Sequence, residues 1–265
     1  MNGAAVLGVA ALTASLVLVG PAHLTQAVAQ VTAPDDGRFA GLRWTFVRVR
    51  YSAFTVESRL REDDWGEPWA IDGPAAEQNL SRRLRTLTAI DVNEPITMTL
   101  DDPRLFEQGW LYMVEPGNLR LRAGEAGILR EFLLRGGTLT FDDFHGPFEW
   151  DNVASEMKRV FPDRTPVDLP LSHPIYAVFY SISAYPQVPG IGSFLAGRTW
   201  EKGGFVPRLR AILDDRGRPM VLINWNTDMG DGVEWSNAEE YPGYVKYTAD
   251  AYRMFINEII YTLTH

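Results

Sequence analysis

The residues best equipped for chemistry lie together near the middle of the chain. Asp142, Asp143, His145 and Glu149 set three carboxylates and an imidazole in one short stretch, FDDFHGPFEW. Such a set offers oxygen ligands to Ca²⁺, Mg²⁺ or Mn²⁺, and the imidazole admits Zn²⁺, but the spacing matches no standard metal motif. Two carboxyls in unlike surroundings also suit general acid and base work, as in glycoside hydrolysis, where their separation sets the stereochemistry. A plainer role competes: acidic residues after a strand commonly cap the next helix, and Asp151 or Asn152 fits that. The metal and any cofactor stay unknown at this level.

A second group adds to the first. Glu115 ends a preceding apolar run, and Asp228, Asp231, Glu234 and Trp235 belong to NTDMGDGVEW, a glycine-rich loop that follows Val221 to Ile223. Its D-x-x-D-G pattern lacks the spacing and terminal Glu of an EF-hand, and Asp231-Gly232 also reads as an ordinary turn. The catalytic set expected from sequence is Asp142, Asp143, His145, Asp228 and Glu234, with Glu115, Glu149, Trp150, His173, Asp231 and Trp235 touching the ligand. His173, before Pro174, competes with a packed, hydrogen-bonded role. Ser193 in GIGSFLAG fails the G-x-S-x-G elbow, which discounts a serine hydrolase. Trp65, Trp69, Trp150 and Trp235 stand beside Asp or Glu, an arrangement that stacks on sugars when it does not simply plug the ends of a sandwich.

Positioning these residues requires a sheet with crossover helices. Trp110 to Val114 is a short apolar run suited to a buried strand. Ala126, Leu129, Phe132 and Leu133 recur at helical spacing, Gly136-Gly137 ends that helix, and Thr138 to Phe141 restarts as a strand. Strand, helix and strand imply parallel pairing, and ligands of open parallel sheets bind beyond the carboxyl ends, here at Asp142 to His145. Leu42 to Tyr51 reads as the first strand, its arginines suggesting an edge or a wet face. Pro74 to Ile90 reads as a helix, Ile96 to Leu100 as a strand, Asn152 to Val160 as a helix and 186–207 as irregular chain. Leu209 to Leu213 and Pro219 to Trp225 flank Asp214-Asp215-Arg216-Gly217 as a hairpin, so one edge is antiparallel; Ala249 to Leu263 is the last helix.

Composition narrows the classes. Residues 1–29 contain no Lys, Arg, Asp or Glu and run from an apolar Ala4 to Val19 through Gly20-Pro21 to Ala27-Val28-Ala29. This reads as an export signal cleaved to leave Gln30 first, in a periplasmic or extracellular protein. The apolar run is shorter than the about 20 residues of a bilayer span, with an uncleaved anchor over 4–19 as the alternative. Residues 30–41 read as a polar tether and 42–265 as one soluble domain. With 34 acidic against 25 basic residues, the net charge is −9, which argues against non-specific nucleic-acid binding. The absence of cysteine excludes disulfides, thiolate metal sites and Cys-dependent catalysis.

Taken in order, FVRVRY (Phe46 to Tyr51), WAIDGPAAEQNL (Trp69 to Leu80), YMVEPG (Tyr112 to Gly117), LLRGGTLTFDDFHG (Leu133 to Gly146), RVFPDR (Arg159 to Arg164), HPIYAVFY (His173 to Tyr180), PQVPGIG (Pro186 to Gly192), NTDMGDGVEW (Asn226 to Trp235) and the terminal AYRMFINEIIYTLTH resemble the bacterial domain-of-unknown-function family 4159. The resemblance implies a flavodoxin-like, class I glutamine amidotransferase-like three-layer sandwich, similar also to ThuA-like domains. It implies a mainly parallel sheet with an antiparallel edge, and no established activity. The amidotransferase nucleophile is a Cys at a strand-to-helix elbow; here Asp142 or Asp143 falls near that position, so glutaminase chemistry is excluded. Three functions follow as expectations: a non-catalytic domain binding a small molecule or a protein partner; a hydrolase or isomerase on a carbohydrate-like substrate; and an accessory subunit of a cell-envelope assembly docking through loops 52–73 or 236–247.

Overall fold

The computed structural model describes residues 39–53, 67–237 and 239–265, all within the compact unit Ala33–His265. The expected export signal, most of the tether and Trp65 lie outside the described residues.

The strands in chain order are β1 (Arg43–Trp44), β2 (Val47–Val49), β3 (Ser52–Ala53), β4 (Asp91–Val92), β5 (Ile96–Met98), β6 (Trp110–Val114), β7 (Leu119–Arg120), β8 (Thr138–Phe144), β9 (Val167–Asp168), β10 (Arg208–Leu213) and β11 (Pro219–Trp225). The helices are α1 (Ala75–Leu87), α2 (Glu125–Leu134), α3 (Gly146–Val160), α4 (Ile191–Leu195), α5 (Met229–Glu234) and α6 (Val245–Thr264). Seven strands form the central sheet in the order β5-β2-β6-β8-β11-β10-β9. The first five are parallel, and β10 and β9 close one edge antiparallel. Two small pairs, β1 with β4 and β3 with β7, stand apart from it. This is an α/β domain with a mostly parallel sheet.

The sheet is covered on both faces, which explains why β6 reads as a continuous apolar run. Its side chains alternate, Trp110, Tyr112 and Val114 entering one core with Leu80 and Leu84 of α1 and Phe255 and Ile259 of α6. Leu111 and Met113 enter the other with Leu129 and Phe132 of α2 and Val153 and Met157 of α3. Between α2 and β8, Gly136 turns at φ +110°, a left-handed conformation open to glycine at no steric cost. Among the described residues no helix is long and apolar enough to cross a membrane.

Several expectations need correction. The stretch 42–51 is two strands in different sheets, and β2 lies inside the central sheet rather than at an edge. Arg48, expected on a wet face, is 2% exposed; its guanidinium meets Glu77 at 3.0 and 2.6 Å, and that paired charge permits its burial. Strand β8 continues through Asp142 and Asp143, which are therefore strand residues and not loop. Helix α3 begins at Gly146, so Glu149 and Asp151 are helical and neither Asp151 nor Asn152 caps it. Asp228 to Glu234 forms a short helix and its cap in place of a loop.

Candidate functional site

The carboxyl ends of β6, β8 and β11 open into a cleft of about 650 Å³. Its lining includes Asp72, Glu115, Asp143, Asp228, Asp231 and Glu234, together with Arg198, Glu201, Lys202 and Trp235. Five non-glycine residues have positive φ among the described residues, and four of them, Asp72, Glu115, Asp143 and Lys202, line this cleft. Such backbone costs on the order of 1–3 kcal/mol per residue and concentrates at functional sites.

Asp143 (φ +52°) is the penultimate residue of β8, just ahead of α3. Its Oδ1 lies 3.1 Å from Nε2 of His145, whose ring is fully buried while the Asp143 side chain keeps 11% exposure. Burial opposes the His145 imidazolium, yet the hydrogen bond and charge of Asp143 outweigh it and raise the imidazole pKa. The His145 amide donates to Glu149 Oε2 at 2.6 Å, and Lys202 Nζ donates to Glu149 Oε1 at 2.6 Å. Gly146 follows at φ +70°, where a Cβ would run into the Lys202 carbonyl, and its amide donates to Asn226 Oδ1 at 2.9 Å. The 202 strap, the elbow of β8 and the end of β11 are thereby held together.

The α5 part of the cleft is held by Asp142, which does not itself line it. Completely buried, Asp142 accepts from Tyr112 Oη at 3.0 Å and from the amides of Met229 and Gly230 at 3.3 and 2.7 Å. Burial and the charge of Asp143 push its carboxyl up to about 7 against those hydrogen bonds. Anchored this way, α5 presents Asp228, Asp231 and Glu234 to the cleft. Asp228 Oδ1 caps α5 through the Asp231 amide at 2.8 Å. Asp231 is fixed by the Ile191 amide at 2.5 Å and by Trp235 Nε1 at 3.1 Å. Burial raises the Asp231 carboxyl to about 8, opposed by the Ile191 amide and aided by the charge of Asp143. Asp228 and Asp72 are pushed well above the usual carboxylate range, first by burial and then by the charges of Asp143 and Asp231.

Asp72 owes its place to Arg48. Beyond its contacts with Glu77, the Arg48 guanidinium donates to the carbonyls of Trp69 and Ile71 at 3.2 and 2.8 Å, which pins the segment ending at Asp72. Asp72 (φ +64°) is 7% exposed, and its Oδ2 has no hydrogen-bond partner.

Of the residues singled out in the sequence, Glu115, Asp143, Asp228, Asp231, Glu234 and Trp235 line the cleft. Asp142 and His145 stand behind its walls, and Glu149 reaches it through Lys202. The metal set Asp142, Asp143, His145 and Glu149 does not converge on one point: Asp142 is spent on amides and a phenol, and Glu149 on an amide and an ammonium. Trp150 packs against Trp225 at 5.0 Å and under the Arg210 guanidinium at 4.0 Å, away from the cleft. His173 packs against Tyr261 with the rings tilted at 5.2 Å and caps the turn at Ile175, also elsewhere. Trp69 is half-buried outside it. Ser193 lines the cleft and accepts from Arg198 Nε at 3.3 Å.

Sequence patterns alone did not bring out Asp72, Arg198, Glu201 and Lys202. Asp72 was hidden in a helix-start signal, although an Asp before Gly-Pro at the start of α1 marks a turn with special backbone. The other three sit in the proline- and glycine-rich stretch 186–207, which has no periodicity to place it.

A comparison with curated proteins of known role found no match. The model of the family described as Domain of unknown function (DUF4159) matches residues 45–263, which spans nearly all the described fold, and the chain belongs to that family.

Proposed function

We propose that the cleft binds a small polyhydroxylated, carbohydrate-like molecule and that Asp143 acts on it as a base, in a hydrolysis or an isomerisation. The observation that carries this reading is the convergence of Asp143, Asp228 and Glu234, from two separate chain segments, on one cleft at the carboxyl ends of parallel strands. Asp143 has the partner a base needs, since the buried ring of His145 orients its carboxylate. Asp228 or Glu234, at the two ends of α5, would return the proton to the departing or rearranged oxygen. The abundance of carboxylate acceptors suits hydroxyl donors, and the Trp235 ring offers an apolar face.

Counting only the parallel strands in chain order, the sheet runs 2-1-3-4-5. That order supports the flavodoxin-like, amidotransferase-like relationship, and the positive φ of Asp143 fits the elbow where such folds carry their nucleophile. With no cysteine in the chain, a carboxylate stands there instead. The composition of residues 1–29 supports placement in the cell envelope.

Turnover tests the reading. Incubation of the full-length protein with glucose, glucosamine, N-acetylglucosamine and their disaccharides, followed by proton NMR, is expected to show conversion of at least one compound. Asp143→Asn should slow it by about 10²-fold or more. Saturable binding without conversion would support instead a non-catalytic ligand-binding domain. A protein-docking role draws support from a different feature, the exposed Phe205 and Val206 beside Pro147; it predicts neither binding nor conversion of sugars.

A further inference from the structure

The acidic wall of the cleft contains one group whose geometry asks for a cation. Asp72, Asp231 and Glu234 each offer a carboxylate oxygen, and these oxygens lie within 4.8 Å of one another. The cations nearest the trio are engaged elsewhere. Arg48 is held by Glu77 and backbone carbonyls, Lys202 by Glu149, and Arg198 turns to Ser193. An independent feature singles the trio out from an ordinary acidic patch. Asp72 is more than nine-tenths buried, lines the cleft, and keeps Oδ2 without any hydrogen-bond partner. A buried polar oxygen left unpaired is costly, so a strained residue that holds one at the wall of a cleft is explained by a partner that arrives from solution. Gly230 belongs to the same arrangement: a Cβ there would collide with Asp72 Oδ2, so the glycine is what lets that oxygen sit against α5.

We propose that Asp72, Asp231 and Glu234 bind one hard divalent cation, Mg²⁺, Mn²⁺ or Ca²⁺. The donor set is all oxygen, with neither imidazole nor thiolate, which selects these ions over Zn²⁺. Asp231 is already oriented toward a shared ion, because the Ile191 amide and the Trp235 indole fix one oxygen each and Glu234 lies within hydrogen-bond reach of it. Three protein oxygens leave the remaining coordination positions to water or to ligand oxygens. The ion therefore faces the cavity, on the same cleft as Asp143. Its role as an anchor for substrate hydroxyls rests on the function proposed above; the ion site itself rests on the trio alone.

Titration of the metal-stripped full-length protein with Mn²⁺, followed by loss of the free-ion EPR signal and without any organic ligand, tests the site directly. One saturable Mn²⁺ per chain is expected, displaced by Mg²⁺ or Ca²⁺, and weakened about tenfold or more in both Asp72→Asn and Glu234→Gln. Asp143→Asn keeps all three ligands in place and is expected still to take up one saturable Mn²⁺ per chain, so that loss of the base and loss of the ion are read separately. Should Asp72→Asn fail to fold, Glu234→Gln at the end of α5 carries the test. No saturable binding, or binding undiminished in Glu234→Gln, overturns the site. Because sugars are absent, this result stands or falls separately from turnover.

Discussion

Asp143 Oδ1 and His145 Nε2 lie 3.1 Å apart where β8 ends ahead of α3, the imidazole wholly buried and the carboxylate lining the cleft. The pair inverts the arrangement in which a histidine faces the substrate. Here the carboxylate faces outward, and the histidine with its neighbours Glu149 and Lys202 forms the support. Replacing His145 by Ala should therefore cost about 1–3 kcal/mol of stability through the unpaired carboxylate and the lost packing. Asp143→Asn, which keeps a side chain able to bond the ring, should cost less. Urea midpoints of the two variants check the order.

The Arg48–Glu77 pair is predicted to hold the Asp72 wall in place. Both side chains are buried, and Arg48 also ties down the carbonyls of Trp69 and Ile71. Arg48→Ala should destabilise by about 3–5 kcal/mol, because it strands a buried carboxylate. The paired replacement Arg48→Met with Glu77→Leu should recover most of the stability and none of the order at residues 69–72. Calorimetric midpoints, read with amide exchange over that segment, separate the two effects.

A buried acid gives the fold a pH signature. Glu258 in α6 is fully buried and accepts from Thr140 Oγ1 at 3.3 Å, and burial, aided by the charge of Asp142, lifts its carboxyl to about 8. The folded chain keeps this proton up to about pH 8, whereas the unfolded chain releases it near 4.5. The folded state binds more protons in between, so stability falls as pH rises through that window, by on the order of 1.4 kcal/mol per unit for a single group. Asp142 and Asp231, raised in the same direction, contribute to the same fall, so Glu258→Gln should reduce the slope by one group's share and be the more stable form at pH 8. Denaturant titrations at pH 5, 6, 7 and 8 measure the slope.

Gly190 separates binding from folding. A Cβ at this position would lie 2.8 Å from Glu201 Oε1 and 2.9 Å from Asp228 Oδ2. Glu201 can swing aside, whereas Asp228 can give only at the expense of its capping bond to the Asp231 amide. Gly190→Ala should leave the melting midpoint nearly unchanged, an effect within about 1 kcal/mol, while displacing two carboxylates of the cleft and abolishing ligand-induced shifts. Paired melts with and without ligand read both consequences.

The sequence was most legible where periodicity and punctuation agree. Trp110 to Val114, the helix with Leu129 and Phe132, and the hairpin around Asp214 to Gly217 all stand as expected, since two-residue and helical repeats with glycine stops leave few alternatives. Half of the cleft was legible for the same reason: Asp143 and Asp228 both follow apolar strands that the parallel order makes neighbours. The rest depends on tertiary pairing that composition conceals. Arg48 is buried because Glu77 waits on α1, Lys202 arrives on a segment without repeat, and Asp142 faces inward only because α5 offers it two amides. Nothing local distinguishes Trp150, packed under Arg210, from Trp235, which lines the cleft.

The most direct measurement is the thermal midpoint of the full-length protein with glucose, glucosamine, N-acetylglucosamine and inositol, for wild type, Asp143→Asn and Asp228→Asn. A ligand bound only by the folded chain raises the midpoint by mass action. A saturable rise in wild type that disappears in both variants is the result expected of a carbohydrate-like ligand seated between these two carboxylates. An equal rise in all three proteins would put the ligand elsewhere, and no rise with any compound would contradict the assignment of this cleft to that ligand class.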